Sequence, residues 1–255
     1  DHGFHRELFQ EAKTQKVDFL STSFSPWAVE LLENLGVSAH KVASMDCNNL
    51  HLLNYIAQTG KPMFISTGMA TLEEISTTLE FLDKQGATDI TLLHCIAKYP
   101  ASAEDLNLEA IVLLKDIFGK RTGYSDHYPG VSACLAAVML GAEVIETHFT
   151  LDNTQNTGDH FHSADPSQMK QLVEDVQLFR SMRGKKSALF HRADRDNAKI
   201  FRRGIYASKP LEPGTVFAEN DFLCCRPQST LSPSNLPSLI GKRIKRFVKE
   251  LQPLS

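Results

Sequence analysis

The sequence has no GxGxxG run and no Walker-type loop, so the usual phosphate cradle of a doubly wound nucleotide-binding sheet is missing. It has no excess of positive charge either. Lys and Arg total 27 against 30 Asp and Glu, a formal net charge of −3, which leaves no electrostatic footprint for nucleic acid. The locally basic run from Lys242 to Lys249 reads as a solvated face. No apolar stretch approaches the roughly 18 residues of a membrane span, so no membrane partner is expected, and no signal peptide opens the chain. The five cysteines, Cys47, Cys95, Cys134, Cys224 and Cys225, form no CxxC pair and no zinc spacing. A reducing cytoplasm fits that usage. The first residue is not Met and lies in a helical pattern, which reads as a truncated start.

What is present is an ordinary globular composition, 42% hydrophobic and 22% charged over 255 residues, enough for one large domain and a small one. Short apolar strands alternate with amphipathic helices. Strands are expected at 18–23, 39–44, 62–67, 89–95, 121–127 and 144–151. Helical patterns lie between them, including one opened by the Thr71–Glu74 capping-box spacing. Such alternation means parallel strands with helical crossovers, apolar on both faces. Polar residues gather at the strand ends: Ser21 to Ser23, Ser44 and Asp46, Ser66 and Thr67, His94, Ser125 to His127, Glu146 and His148. Barrels and open sheets both place their sites at that edge. Without a phosphate loop a barrel is favoured, yet six units are visible where a closed barrel needs eight.

After Gly184 the pattern changes. Residues 185–200 read as a charged linker and 201–255 as a small β-rich domain.

The run Gly123-Tyr124-Ser125-Asp126-His127 and the run Glu146-Thr147-His148 set two imidazoles at the ends of neighbouring strands, with Gly123, Ser125 and His127 on one strand face and Glu146 and His148 on the other's. Two imidazoles so placed can hold Mn²⁺, Zn²⁺, Fe²⁺ or Co²⁺, with water or substrate completing the shell. Lys41, in an apolar strand, needs an anion or a route to water. With the hydroxyls of Ser44, Ser66, Thr67 and Ser125 it suggests a phosphate or carboxylate site. Asp46, Asp126, Asp152 and Asp159 sit near the same edge.

Read together, Lys41-Val42-Ala43-Ser44, Ser66-Thr67-Gly68-Met69, Tyr99-Pro100-Ala101, Gly123 to His127, Glu146 to Asp152 and Asp159-His160 resemble the N-acetylneuraminate (sialic acid) synthase family, which includes legionaminate and pseudaminate synthases and spore-coat polysaccharide enzymes. The resemblance spans nearly the whole chain. The tail, with Arg203-Gly204-Ile205-Tyr206-Ala207, Arg226-Pro227 and Ile240-Gly241-Lys242, resembles that family's antifreeze-like (SAF) domain.

The resemblance implies an α/β fold: a (β/α)₈ TIM barrel lacking its first two strands over 1–184, a linker, and the SAF domain, assembled as a domain-swapped homodimer. It implies condensation of phosphoenolpyruvate with an N-acetylated amino sugar, either N-acetylmannosamine or a 6-deoxy diacetamido hexose, to a nine-carbon 2-keto acid. His127 and His148 would bind the metal, usually Mn²⁺, with Mg²⁺ or Co²⁺ also compatible. Thr22, Lys41, Ser44, Ser66 and Ser125 would hold phosphoenolpyruvate. Asp46, Tyr99 and Asp159 would face the sugar, with Asp46 managing protons, and Arg226 would reach the partner's site. Ala97 stands where the family often has Asn or Ser, so a donor near phosphoenolpyruvate is either lost or supplied from elsewhere. Gly204 replaces a usual Ser, a change expected to be harmless. Alternatives are a synthase making a shorter keto-deoxy acid and a non-catalytic sugar-binding paralogue. Without the two strands, weak turnover and open sheet edges are expected.

Overall fold

The computed structural model describes residues 2–184 and 192–254. Two compact units are present, Asp1–Arg183 and Gly184–Ser255. In the first, helices α1 (His2–Thr14) and α2 (Pro26–Leu35) precede an alternating series: β1 (His40–Val42), α3 (Leu50–Ala57), β2 (Met63–Ser66), α4 (Leu72–Lys84), β3 (Ile90–Cys95), α5 (Ala110–Phe118), β4 (Arg121–Asp126), α6 (Ser132–Leu140) and β5 (Val144–Thr147). A long helix, α7 (Pro166–Arg183), closes the unit. The strands form one parallel sheet in sequential order, curled into a half-barrel.

Local chemistry sets the helix ends. Ser25 caps α2, and Gly36 ends it at φ 86°, a conformation suited to glycine. The Thr71 hydroxyl accepts from the Glu74 amide at 3.2 Å, and the Glu74 carboxylate accepts from the Thr71 amide at 2.8 Å. That is the capping box anticipated for α4.

Register sorts the side chains. Lys41 pairs with Phe64, Ser66 with Leu93, Cys95 with Ser125, and Ser125 with Glu146. Because residues alternate faces, Lys41, Ser66, Cys95, Ser125 and Glu146 share the concave side. The other face carries Val42, Ile65, Leu92 and Tyr124, each at most 1% exposed. Leu52, Leu53, Ile56, Leu79 and Leu82 of the covering helices join Val42, Ile65 and Leu92 in one core. Each such side chain contributes about 1.5–3 kcal/mol on burial. On the concave side Gly123 has no room for a side chain: a Cβ would lie 2.5 Å from both Leu93 Cδ2 and Val144 O.

Three expectations change. The strand at 18–23 is reduced to one parallel bridge, Thr22 to Lys41. Val17 and Leu20 there are 63% and 41% exposed, so no burial drives the ladder further. The strand at 144–151 stops at Thr147, because the chain turns and the His148 carbonyl accepts from the Ala164 amide at 2.8 Å. Helix α7 was unexpected. Asp165 and Gln168 cap it reciprocally at 2.8 and 3.0 Å, and Met169, Leu172, Val173 and Val176 follow helical spacing. Leu172 and Val176, with Leu20, Lys41, Val144 and Glu146, line a groove of about 1220 Å³ between the 17–22 segment and β5.

In the second unit the expected linker is partly helical, α8 (Arg192–Phe201); residues 185–191 lie outside the described residues. Polar and charged residues made the segment look linker-like, yet nothing in it forbids a helix. Strands β6 (Gly204–Ala207) and β7 (Phe222–Cys225) are antiparallel, and a one-turn helix, α9 (Leu236–Leu239), follows. Ile205, Ala207, Leu211, Ile244, Val248 and Leu254 form the core. Gly204 is required: a Cβ would lie 2.3 Å from the Ser229 amide nitrogen. Among the described residues no helix is long and apolar enough to cross a membrane.

Two buried histidines on the helix side of the sheet make stability depend on pH. His40 is 0% exposed and its Nε2–H donates to Glu33 at 2.9 Å. His94 Nε2–H donates to the Leu106 carbonyl at 2.7 Å. Burial holds both below the ordinary value of 6.5, against the opposing pull of Glu33 on His40 and of the Leu106 carbonyl on His94. The unfolded chain therefore binds protons that the fold refuses. Stability is full above pH 6.5 and falls as pH drops through the folded values. Thermal unfolding at pH 5 is expected at a lower temperature than at pH 7.5; an unchanged or higher midpoint at pH 5 would contradict this reading.

Candidate functional site

The C-terminal ends of the strands hold two adjoining groups of side chains. The first is built on Lys41. It is 8% exposed, and its ammonium donates to Ser66 Oγ at 2.8 Å and to the Val42 carbonyl at 2.8 Å. Glu146 Oε2 lies 3.5 Å away, and Ser125 Oγ donates to Glu146 Oε1 at 2.7 Å. Four strands thus contribute one residue each to a single charged network. Cys95 underlies it, accepting from the Gly68 amide at 3.3 Å. Burial raises its thiol pKa, so it stays a neutral thiol. An ammonium with one N–H left after Ser66 and Val42, beside two hydroxyls, is the chemistry that binds a phosphate or carboxylate.

The second group is aromatic and imidazole. The Tyr99 ring lies 3.9 Å from His127, 5.8 Å from His148 and 6.0 Å from His162, centre to centre. His127 and His148 are 5.2 Å apart on the same measure, and His148 and His162 5.0 Å. His127 Nδ1–H donates to the Ile96 carbonyl at 2.7 Å. That bond fixes the tautomer and leaves Nε2 with its lone pair for a ligand. Burial, with His148 nearby, keeps the His127 pKa below its ordinary value against the pull of the Ile96 carbonyl, and burial does the same at His162. Neutral imidazoles are the form that binds metals. Asp159 completes the group, with Oδ2 3.6 Å from His148 Nδ1 and Oδ1 4.0 Å from His162 Nε2.

The other sequence-derived residues fall around these groups. Ser44 and Asp46 lie in a short 3₁₀ turn after β1, and Asp46 accepts from Asn49 at 2.8 Å. Thr22 adjoins Lys41 through its bridge. Ala97 is exposed in the loop after β3. His94 sits at its strand end but faces the helices, as its bond to Leu106 shows. Asp126 also points away from the concave side, where its carboxylate accepts from Tyr124 OH at 2.9 Å, the Tyr128 amide at 2.9 Å and Cys134 Sγ at 3.0 Å. Asp152 caps its own turn at Thr154. In the second unit Arg226 is exposed, its guanidinium 5.3 Å from the centre of the Phe201 ring.

Two residues were missed. Glu146 was noted only as a nearby carboxylate, although it is the common partner of Lys41 and Ser125. His162 was not noticed at all. Its signal was the spacing from Asp159: residues three apart on a 3₁₀ turn stand one above the other, and the turn His160–His162 follows Asp159 directly.

The NeuB family model matches residues 1–188, and the SAF domain model matches residues 202–255. An N,N'-diacetyllegionaminic acid synthase of Campylobacter jejuni is 38% identical over 96% of this chain and 74% of its own. A pseudaminic acid synthase of Helicobacter pylori is 33% identical over 99% of this chain and 74% of its own. A crystal structure of the N-acetylneuraminic acid synthetase of Leptospira borgpetersenii, in complex with citrate, superposes with a TM-score of 0.74 at 31% identity, covering 77% of this chain and 69% of that one.

Proposed function

The chain belongs to the NeuB family and carries a SAF domain, and from that premise we propose that it condenses phosphoenolpyruvate with an N-acetylated amino sugar to a nine-carbon sialic-acid-type 2-keto acid, releasing phosphate. The observation that carries this reading is the pairing of two sites at one sheet edge: the Lys41–Ser66–Ser125–Glu146 network beside the His127–His148 imidazoles. The first suits an anion and the second suits a divalent ion.

The residues fit a divalent ion. His127 is oriented by Ile96 with Nε2 available, and both ring nitrogens of buried His162 lack a hydrogen-bond partner. Nitrogen and carboxylate donors suit Mn²⁺, Co²⁺ or a similar ion. His127 and His148 would hold such an ion, which would supply Lewis-acid chemistry for the sugar's carbonyl. Lys41 fixes the phosphate or carboxylate of phosphoenolpyruvate, with the hydroxyls of Thr22, Ser44, Ser66 and Ser125 around it. C3 of phosphoenolpyruvate then bonds to the aldehyde carbon, water adds at C2, and phosphate leaves by C–O cleavage. Cationic character at C2 is offset by Glu146. Asp46 handles the water and sugar protons, and Tyr99 and Asp159 face the sugar. The reading includes a cytoplasmic homodimer in which Arg226 of one copy reaches the other's site.

The test is phosphate release by this chain with phosphoenolpyruvate, Mn²⁺ and a panel of aldoses. N-acetylmannosamine or a diacetamido hexose should support release. Release only with aldoses of five carbons or fewer would replace this reading with a shorter keto-deoxy acid, and sugar binding without release would replace it with a binding protein.

A further inference from the structure

We infer that His162 is itself a metal ligand, sharing the ion with His148 and Asp159. The inference rests on the metal-dependent reading above and relocates part of its ligand set. His162 is 3% exposed, yet neither Nδ1 nor Nε2 has a hydrogen-bond partner. Other histidines of the unit do better: His40 has Glu33, His94 has Leu106, His127 has Ile96 and His160 has Thr150. An imidazole buried with both nitrogens idle is costly to the fold unless something binds there.

The surroundings say what would bind. His148, Asp159 and His162 each offer one ligand atom, and these lie within 4.8 Å of one another. Ligands about 2.1 Å from a common ion sit roughly 3–4 Å apart, so a small closing movement brings all three onto one ion. Two imidazoles and one carboxylate on one side, with the remaining positions open, is the arrangement used by ions that must also bind substrate. The turn is pre-set for this. Ser163 Oγ donates to the Asp159 carbonyl at 2.7 Å, the Ser163 amide donates to the His160 carbonyl at 3.1 Å, and His160 is tied to Thr150 at 2.7 Å. Those bonds hold Asp159 and His162 on one side of the turn. His148 belongs to both the resemblance-derived pair and this trio, so the ion moves toward the 159–162 turn without leaving the site.

The experiment is calorimetric titration of the metal-free chain with Mn²⁺, with the Co²⁺ absorption spectrum as a ligand-sensitive readout. Wild type, His162→Leu, His162→Gln and His127→Ala are compared. The Leu variant keeps volume and removes the idle nitrogens, so in EDTA it should melt at or above the wild-type temperature. Its Mn²⁺ affinity should fall about tenfold or more, Mn²⁺ should no longer raise its melting temperature, and the Co²⁺ bands should shift. The Gln variant gives the same affinity comparison with a polar side chain if Leu does not fold. Wild-type affinity and an unaltered Co²⁺ spectrum in either folded variant would overturn the inference. If His127→Ala alone loses the ion, the metal reading survives and the role of His162 falls. If wild type binds no Mn²⁺, both fall.

Discussion

Replacing His127 with alanine is expected to lower condensation by about 10³-fold at saturating Mn²⁺, since a Lewis acid supplies several kcal/mol and each 1.4 kcal/mol is a factor of ten. The loss should appear in kcat, with the fold intact. His127 makes one hydrogen bond, to Ile96, and losing it costs about 1 kcal/mol. Melting temperature should therefore move by a few degrees while turnover collapses. Phosphate release decides the matter: full activity of the variant with no metal requirement would remove His127 from the metal site.

Lys41→Met is expected to produce a second large loss of a different kind. The methionine keeps the apolar stem and removes the only positive charge in the network of Lys41, Ser66, Ser125 and Glu146. The kcat/KM for phosphoenolpyruvate should fall by about 10²–10³-fold, mostly through KM, because the charge acts on the bound anion before and during reaction. The fold should tolerate it. Glu146, its ionic partner, is 44% exposed and can be solvated when the ammonium goes, so the cost is mainly that of the buried bonds to Ser66 and the Val42 carbonyl, about 1–3 kcal/mol. Steady-state kinetics against phosphoenolpyruvate separates the two variants; an unchanged KM at Lys41→Met would place the anion elsewhere.

The β/α alternation was legible because short strand-like runs ending in polar residues recur between helices that end on a glycine or open on a capping residue. What sequence could not weigh was pairing. The 18–23 segment has strand composition but gains only one bridge at Thr22, since a strand is defined by its neighbour as much as by itself. Of the site, Lys41, Ser66 and Ser125 were found because they lie on strands, where period two assigns a face, and His127 and His148 because each directly follows the last residue of a strand. His94 and Asp126 ended on the other face, where the same rule places them once register is known. Asp159 and His162 sit in a turn, where no periodicity announces direction. Glu146 was in view, but its partnership with Lys41 spans three intervening strands and depends on the curl of the sheet.

The two faces of the sheet differ in what a substitution there can disturb. Val42, Ile65, Leu92 and Tyr124 are locked into the helices, and a change at any of them is felt by the whole core. Lys41, Ser66, Ser125 and Glu146 touch mainly one another and the groove. Along each strand, adjacent codons therefore answer to different pressures, one to folding and the next to substrate. Substitutions on the concave face can change what lines the groove while the core beneath stays unchanged, except at Gly123, where a side chain would meet Leu93 and Val144.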